Sequence, residues 1–160
     1  VFWPGPPPPP PSAAPTAAAE APVATLASAS WDGSVKIWDA ETGRCVREIK
    51  MDNGMACVQP MPGGDIVTGT AGVAVQGPDG HSLIGHELRV WRDGPEPAVV
   101  ATTHTSSLRS LALLQREPPM PPLLVSASND GTVRVWGPDY EPLAAVELGD
   151  MVIGVEPCGV

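Results

Sequence analysis

Clustered basic charge is missing from this chain. Its 160 residues hold 9 Lys and Arg against 18 Asp and Glu, a formal net charge of −9. The few cations are scattered, which argues against a nucleic-acid or anionic-membrane surface, because phosphate binding rests on grouped Lys and Arg. A protein partner fits the balance better. No apolar run approaches the roughly 20 residues needed to span a bilayer, and no basic-then-apolar amino end marks a secretory signal. The expected compartment is therefore cytosolic or nuclear. Cysteine is scarce as well: Cys45, Cys57 and Cys158 are unequally spaced, with no Cys-x-x-Cys pair and no His at ligand spacing. Neither a disulfide framework nor a zinc site is indicated, and reduced, buried thiols are the expectation. No cofactor is implied. A nucleophile elbow of the Gly-x-Ser-x-Gly type and a phosphate loop with Gly-Lys-Ser are also absent, so the sequence does not read as an enzyme.

What is present is a hairpin written twice. Residues 124–136, Leu-Val-Ser-Ala-Ser-Asn-Asp-Gly-Thr-Val-Arg-Val-Trp, place small and β-branched residues on either side of Asp130-Gly131. Asp-Gly supplies the positive-φ geometry that a tight hairpin requires. Residues 26–38 repeat this through Ser28-Ala29-Ser30, Asp32-Gly33 and a closing Trp38. A third, degraded copy runs from 65–70 to 87–91, ends in Trp91, and carries a long insert at 72–86 that reads as turn chemistry around Gly77-Pro78-Asp79-Gly80. Once that insert is discounted, the repeat is about 40–45 residues long.

Ser-Ala-Ser, Asp-Gly and a strand ending in Trp, with the literal dipeptide Trp38-Asp39, make residues 23–160 resemble the WD40 family. The resemblance implies an all-β fold, a β-propeller segment of about three four-stranded antiparallel blades, part of a larger propeller. In the family's strand order, 25–30, 34–38 and 44–49 are strands b, c and d of blade one. Blade two takes 55–58, 65–70, 87–91 and 97–102 as a to d. Blade three takes 108–114, the hairpin and 143–148, and 151–155 reads as strand a of a further blade. Three blades fall short of the four to eight of most propellers. The start at Val1 points to a fragment, and open edges at the first b strand and the last a strand lead us to expect self-association or a need for further blades. Residues 1–22, with six consecutive prolines from Pro6 to Pro11, form a Pro/Ala-rich segment expected to be a disordered linker, with a polyproline ligand for an aromatic-lined groove as the other reading.

The resemblance also assigns a structural network: His before strand a, Ser or Thr on b, Asp in the b–c turn and Trp on c. Blade three supplies His104, Ser126 or Ser128, Asp130 and Trp136. The two serines share a face, so the sequence leaves both open. Blade one keeps Ser28 or Ser30, Asp32 and Trp38 without an upstream His. Blade two keeps Thr68 or Thr70 and Trp91, with Met51-Asp52-Asn53-Gly54 where the His belongs. His104, Asp130 and Ser126 also compose a Ser-His-Asp set, which the family pattern explains as fold-locking. For function there remains the surface, where the b–c turns present Trp31 and Asn129 as candidate partner contacts. Ser30-Trp31-Asp32, Asp65–Thr70, Leu108-Arg109-Ser110-Leu111-Ala112 and Ser128-Asn129-Asp130 resemble, more narrowly, the propeller of the phospholipase A2-activating protein family. That resemblance implies a ubiquitin-binding adaptor. The alternative is a propeller segment of a larger multidomain enzyme or assembly factor that positions a partner.

Overall fold

A computed structural model describes residues 24–77, 80–92, 97–100 and 104–158. The Pro/Ala-rich stretch lies outside them, and so do Pro78 and Asp79 of the insert's turn. The described residues form antiparallel sheets and no helix. Blade one is β1 (Thr25–Ala29), β2 (Ser34–Asp39) and β3 (Cys45–Lys50), paired in that order. Blade two is β4 (Met55–Pro60), β5 (Ile66–Thr70), β8 (Leu88–Trp91) and β9 (Ala98–Val100). Between β5 and β8 the insert folds into its own two-stranded ribbon, β6 (Val73–Gly77) and β7 (Gly80–Ile84). Blade three is β10 (Leu108–Leu114), β11 (Leu123–Ser128), β12 (Thr132–Trp136) and β13 (Pro142–Glu147).

Two sequence expectations change here. The insert is a hairpin rather than a bare turn, pairing from Val73 with Ile84 to Gly77 with Gly80. Residues 151–155 run without a ladder partner and are not a strand among the described residues. Strand identity depends on a neighbour to bond with, and the pattern of residues alone does not supply one.

The b–c turns behave as their Asp-Gly pairs require. Gly33 and Gly131 both have φ of 81°, a region that side chains disfavour. Asp32 and Asp130 each accept the N–H two residues on, Ser34 at 2.8 Å and Thr132 at 2.9 Å, which closes the turn before strand c begins.

Packing occurs between blades. Val35 and Ile49 of blade one meet Met55, Ile66 and Trp91 of blade two in one apolar cluster. Val67, Leu88 and Val90 of blade two meet Leu108, Leu111, Leu124, Trp136 and Tyr140 of blade three in another. Gly69 permits that second approach: a Cβ there would lie 2.9 Å from the Leu108 Cβ, closer than side chains pack. Tyr140 adds a polar tie, donating its hydroxyl to Asp65 at 3.1 Å across the blade boundary. Burial beside that carboxylate pushes the phenol up to about 12. Of the three thiols only Cys57 is buried; Cys45 and Cys158 are exposed, so the expectation of buried thiols holds for one. Burial raises Cys57 to about 12, which keeps it in the unreactive thiol form.

Candidate functional site: a hydrogen-bonded lock and an exposed rim

In blade three the structure brings His104, Ser126, Asp130 and Trp136 together. The Trp136 indole N–H donates to Ser126 Oγ at 2.8 Å. Ser126 Oγ also lies 2.8 Å from His104 Nε2, and His104 Nδ1 lies 2.9 Å from Asp130 Oδ2. An ionised Asp130 has no proton to give, so Nδ1 carries the hydrogen, and Ser126 donates its own to Nε2. Asp130 is fully engaged: besides His104 it accepts the Thr105 N–H at 2.9 Å, and its other oxygen takes the Thr132 N–H at 2.9 Å and hydroxyl at 2.7 Å. Burial works against its charge, and these donors outweigh it to hold the carboxyl well below its ordinary range.

Ser128 does a separate job. Its Oγ bonds the carbonyls of Ser106 and Ser107, both at 3.1 Å, and accepts the Asp130 N–H at 3.2 Å. Register decides between the serines: Trp136 stands opposite Leu124, two residues from Ser126 on the same face, so the indole reaches Ser126 first.

The other blades hold shorter versions. Trp91 donates to Thr68 at 3.0 Å and Trp38 to Ser28 at 2.9 Å. At the place the His vacates in blade two, Met51 receives the Arg89 guanidinium at 2.9 Å. Asp32 stays with Ser34 and reaches no imidazole among the bonds described. As a catalytic set, His104, Asp130 and Ser126 are badly placed: Ser126 and the His104 side chain show no exposure, and the Ser126 oxygen is already shared between an indole and an imidazole. The arrangement holds strands together.

Burial also holds His104 below the ordinary imidazole range, with Asp130 opposing. A base whose folded pKa is depressed stabilises the fold above its unfolded value and loses that contribution as pH falls below it. The denaturation midpoint is therefore expected to drop between pH 7 and pH 5. His104→Gln, measured by urea melts across that range, should lower stability at pH 7 and flatten the slope. An unchanged slope would place the titration elsewhere.

Above the lock the loops converge in one linked series. Met55 N–H bonds the Ser30 carbonyl at 3.0 Å, Ala71 N–H the Gly54 carbonyl at 2.9 Å, Ser107 Oγ the Ala71 carbonyl, and Asn129 N–H the Ser107 carbonyl at 3.0 Å. Trp31 and Asn129 thus lie on the same rim, but they differ in access. Trp31 is 70% exposed. Asn129 is half-buried, with its side-chain oxygen enclosed, so its tie to Ser107 anchors the loop more than it presents a contact. The β6–β7 ribbon leaves from the same rim, between Ala71 and Gly85.

Blades that pin a strand-c Trp to strand b and pack face to face define a β-propeller segment. The comparisons agree. Residues 22–39 and 96–137 match the WD40 family, described as WD domain, G-beta repeat. The chain is similar to the target of rapamycin complex subunit LST8-1 of Arabidopsis thaliana, 27% identical over 133 residues, covering 78% of this chain and 39% of that protein. It superposes on the structure of U3-55K with a TM-score of 0.62 at 18% identity, covering 82% of this chain and 38% of that one. This chain therefore spans about two fifths of each. The family match supports WD40 repeats at residues 22–39 and 96–137, the superposition shows the fold alone, and the narrower resemblance to phospholipase A2-activating protein gains no support from these matches.

Proposed function

We propose that this chain is a non-catalytic protein-docking module whose partner seats on Trp31. The observation that carries the reading is the exposure of that indole in a tight turn whose backbone is fixed without it. Asp32 and Ser30 close the turn, and the strand ladder runs below it, so packing does not account for a large aromatic there. Exposed Trp is among the strongest interface anchors. The acidic balance suits a protein rather than nucleic acid. A relative whose own name makes it a complex subunit points the same way.

Ubiquitin is the partner we propose to test first. Titrating the chain with ubiquitin by calorimetry and backbone amide shifts should show binding. Trp31→Ala should weaken it by about 2 kcal/mol or more while leaving the melting curve unchanged. Absence of binding removes ubiquitin and leaves the docking module. Binding that survives Trp31→Ala moves the contact elsewhere.

A further inference from the structure

The chain contains two asparagines, Asn53 and Asn129, and the asparagine amide is thermolabile. Its loss runs through the backbone of the next residue. That residue's nitrogen, once deprotonated, attacks the side-chain Cγ: a new C–N bond closes a cyclic imide, the bond to the amide nitrogen breaks, and ammonia leaves. Water then opens the imide at either carbonyl, giving aspartate or an isoaspartyl link, and no other co-reactant is needed. The step requires a nitrogen whose N–H is not already given to an acceptor, on a residue that does not crowd the ring. Glycine, without a Cβ, crowds it least.

The structure separates the two asparagines on both counts. After Asn129 comes Asp130, whose N–H goes to Ser128 Oγ at 3.2 Å, and the Asn129 side-chain oxygen is enclosed. After Asn53 comes Gly54, whose N–H meets no acceptor among the bonds described, and the Asn53 side-chain amide makes none there either. Asp-Gly pairs cyclise by the same route, and the two whose residues are both described are guarded: Gly33 N–H goes to the Ser30 carbonyl at 3.1 Å and Gly131 N–H to the Ser128 carbonyl at 3.3 Å. Asn53 is half-buried in the bend between β3 and β4, outside any ladder. It alone of these positions joins an unengaged nitrogen to a glycine.

We infer that Asn53 is a site of spontaneous deamidation, and that its conversion loosens the tie between the Trp31 turn and the root of the β6–β7 ribbon. Asn53 and Gly54 sit where the two meet. A Cβ on Gly54 would lie 3.1 Å from the Trp31 carbonyl oxygen, one on Gly33 3.3 Å from the Asn53 carbonyl oxygen, and one on Gly85 3.4 Å from Asn53 Nδ2. From the same loop the Gly54 carbonyl takes the Ala71 N–H at 2.9 Å and the Met55 N–H reaches the Ser30 carbonyl at 3.0 Å. An isoaspartyl link inserts a further backbone carbon between the Asn53 α-carbon and the Gly54 nitrogen, which shifts Gly54 and Met55 away from both partners. Either product also sets a new carboxylate next to Asp52, and the like charges repel. With Trp31 as the anchor proposed above, the change falls on the docking rim; the deamidation itself does not depend on that reading.

The chain is aged in mildly alkaline buffer, folded in one sample and unfolded by urea in another, and both are mapped by peptide mass spectrometry. Residue 53 should become the acid in the folded chain within about threefold of its rate in urea, whereas Asn129 should be slowed roughly tenfold or more by folding, since local opening must first free the Asp130 N–H. The rate at residue 53 should rise with pH, because hydroxide takes the Gly54 proton. An isoaspartyl methyltransferase should label the peptide that holds residue 53, and Asn53→Gln should remove that label. Hydrogen exchange at the Met55 and Ala71 amides should be faster in the aged chain than in the fresh one. Slowing of Asn53 by roughly tenfold or more on folding overturns the inference, and so does equal slowing of the two asparagines. Unchanged exchange at Met55 and Ala71 in the converted chain overturns the link to the Trp31 turn.

Discussion

Trp136→Ala is expected to cost about 4 kcal/mol or more, and to exceed Trp91→Ala by about 1–3 kcal/mol. Both indoles are essentially unexposed in inter-blade clusters, so the packing loss is similar for the two. They differ in what the missing N–H leaves behind. Without Trp136, Ser126 loses a donor in a site with no solvent, and Ser126 is what His104 leans on. Without Trp91, the Thr68 hydroxyl loses its donor, and among the bonds described it is not tied to an imidazole as Ser126 is. Because domains of this size are stable by about 5–15 kcal/mol, the Trp136 change removes a large share of the total. Urea melts of both variants decide the order. Trp136→Phe separates the parts, since it keeps most of the volume and removes the N–H. Equal losses for Trp136→Ala and Trp91→Ala would show that the network adds nothing beyond packing.

The lock was readable from the sequence because its members are local signals repeated at fixed spacing. Asp-Gly fixes the turn and Trp closes the strand after it. The choice between Ser126 and Ser128 was not readable, since side chains two apart share a face and the decision lies in the cross-strand register with Trp136. Trp38 and Trp91 likewise announced their strands but not their surroundings: one is half-buried on an open face, the other sealed between blades. The β6–β7 ribbon escaped notice because Gly72, Gly77, Gly80 and Gly85 dilute its strand signal. The Tyr140 to Asp65 bond spans 75 positions, a separation at which no local pattern speaks. The tail shows the opposite error, a strand legible in its residues that has no ladder in the single chain, because hydrogen-bonded identity belongs to a pair of strands and not to one.

Asp130→Ala is expected to destabilise the chain by about 3 kcal/mol or more, and the repeat provides its own control in Asp32→Ala. The two residues occupy the same turn position before a glycine with the same φ, so turn chemistry alone predicts equal effects. Their partners differ. Asp32 is solvent-exposed, and its lowered pKa comes chiefly from Ser34, a bond that water replaces readily. Asp130, with 5% of its side chain exposed, accepts from Thr105, from the Thr132 backbone and hydroxyl, and from His104. Removing it strands several donors at once, and bonds to a charged group contribute about 1.5–3 kcal/mol each when not replaced. Shared loss among coupled bonds brings the total below their sum. His104 then loses the partner that fixes its Nδ1–H, so Ser126 and Trp136 loosen with it, and the near-ultraviolet signal of the indole should fall before the backbone signal does. Asp130→Asn keeps the shape and one acceptor, and should recover part of the loss. Chemical melts of the three variants at pH 7 test the argument. A loss for Asp32→Ala as large as that for Asp130→Ala would assign the stabilisation to the turn and not to the lock.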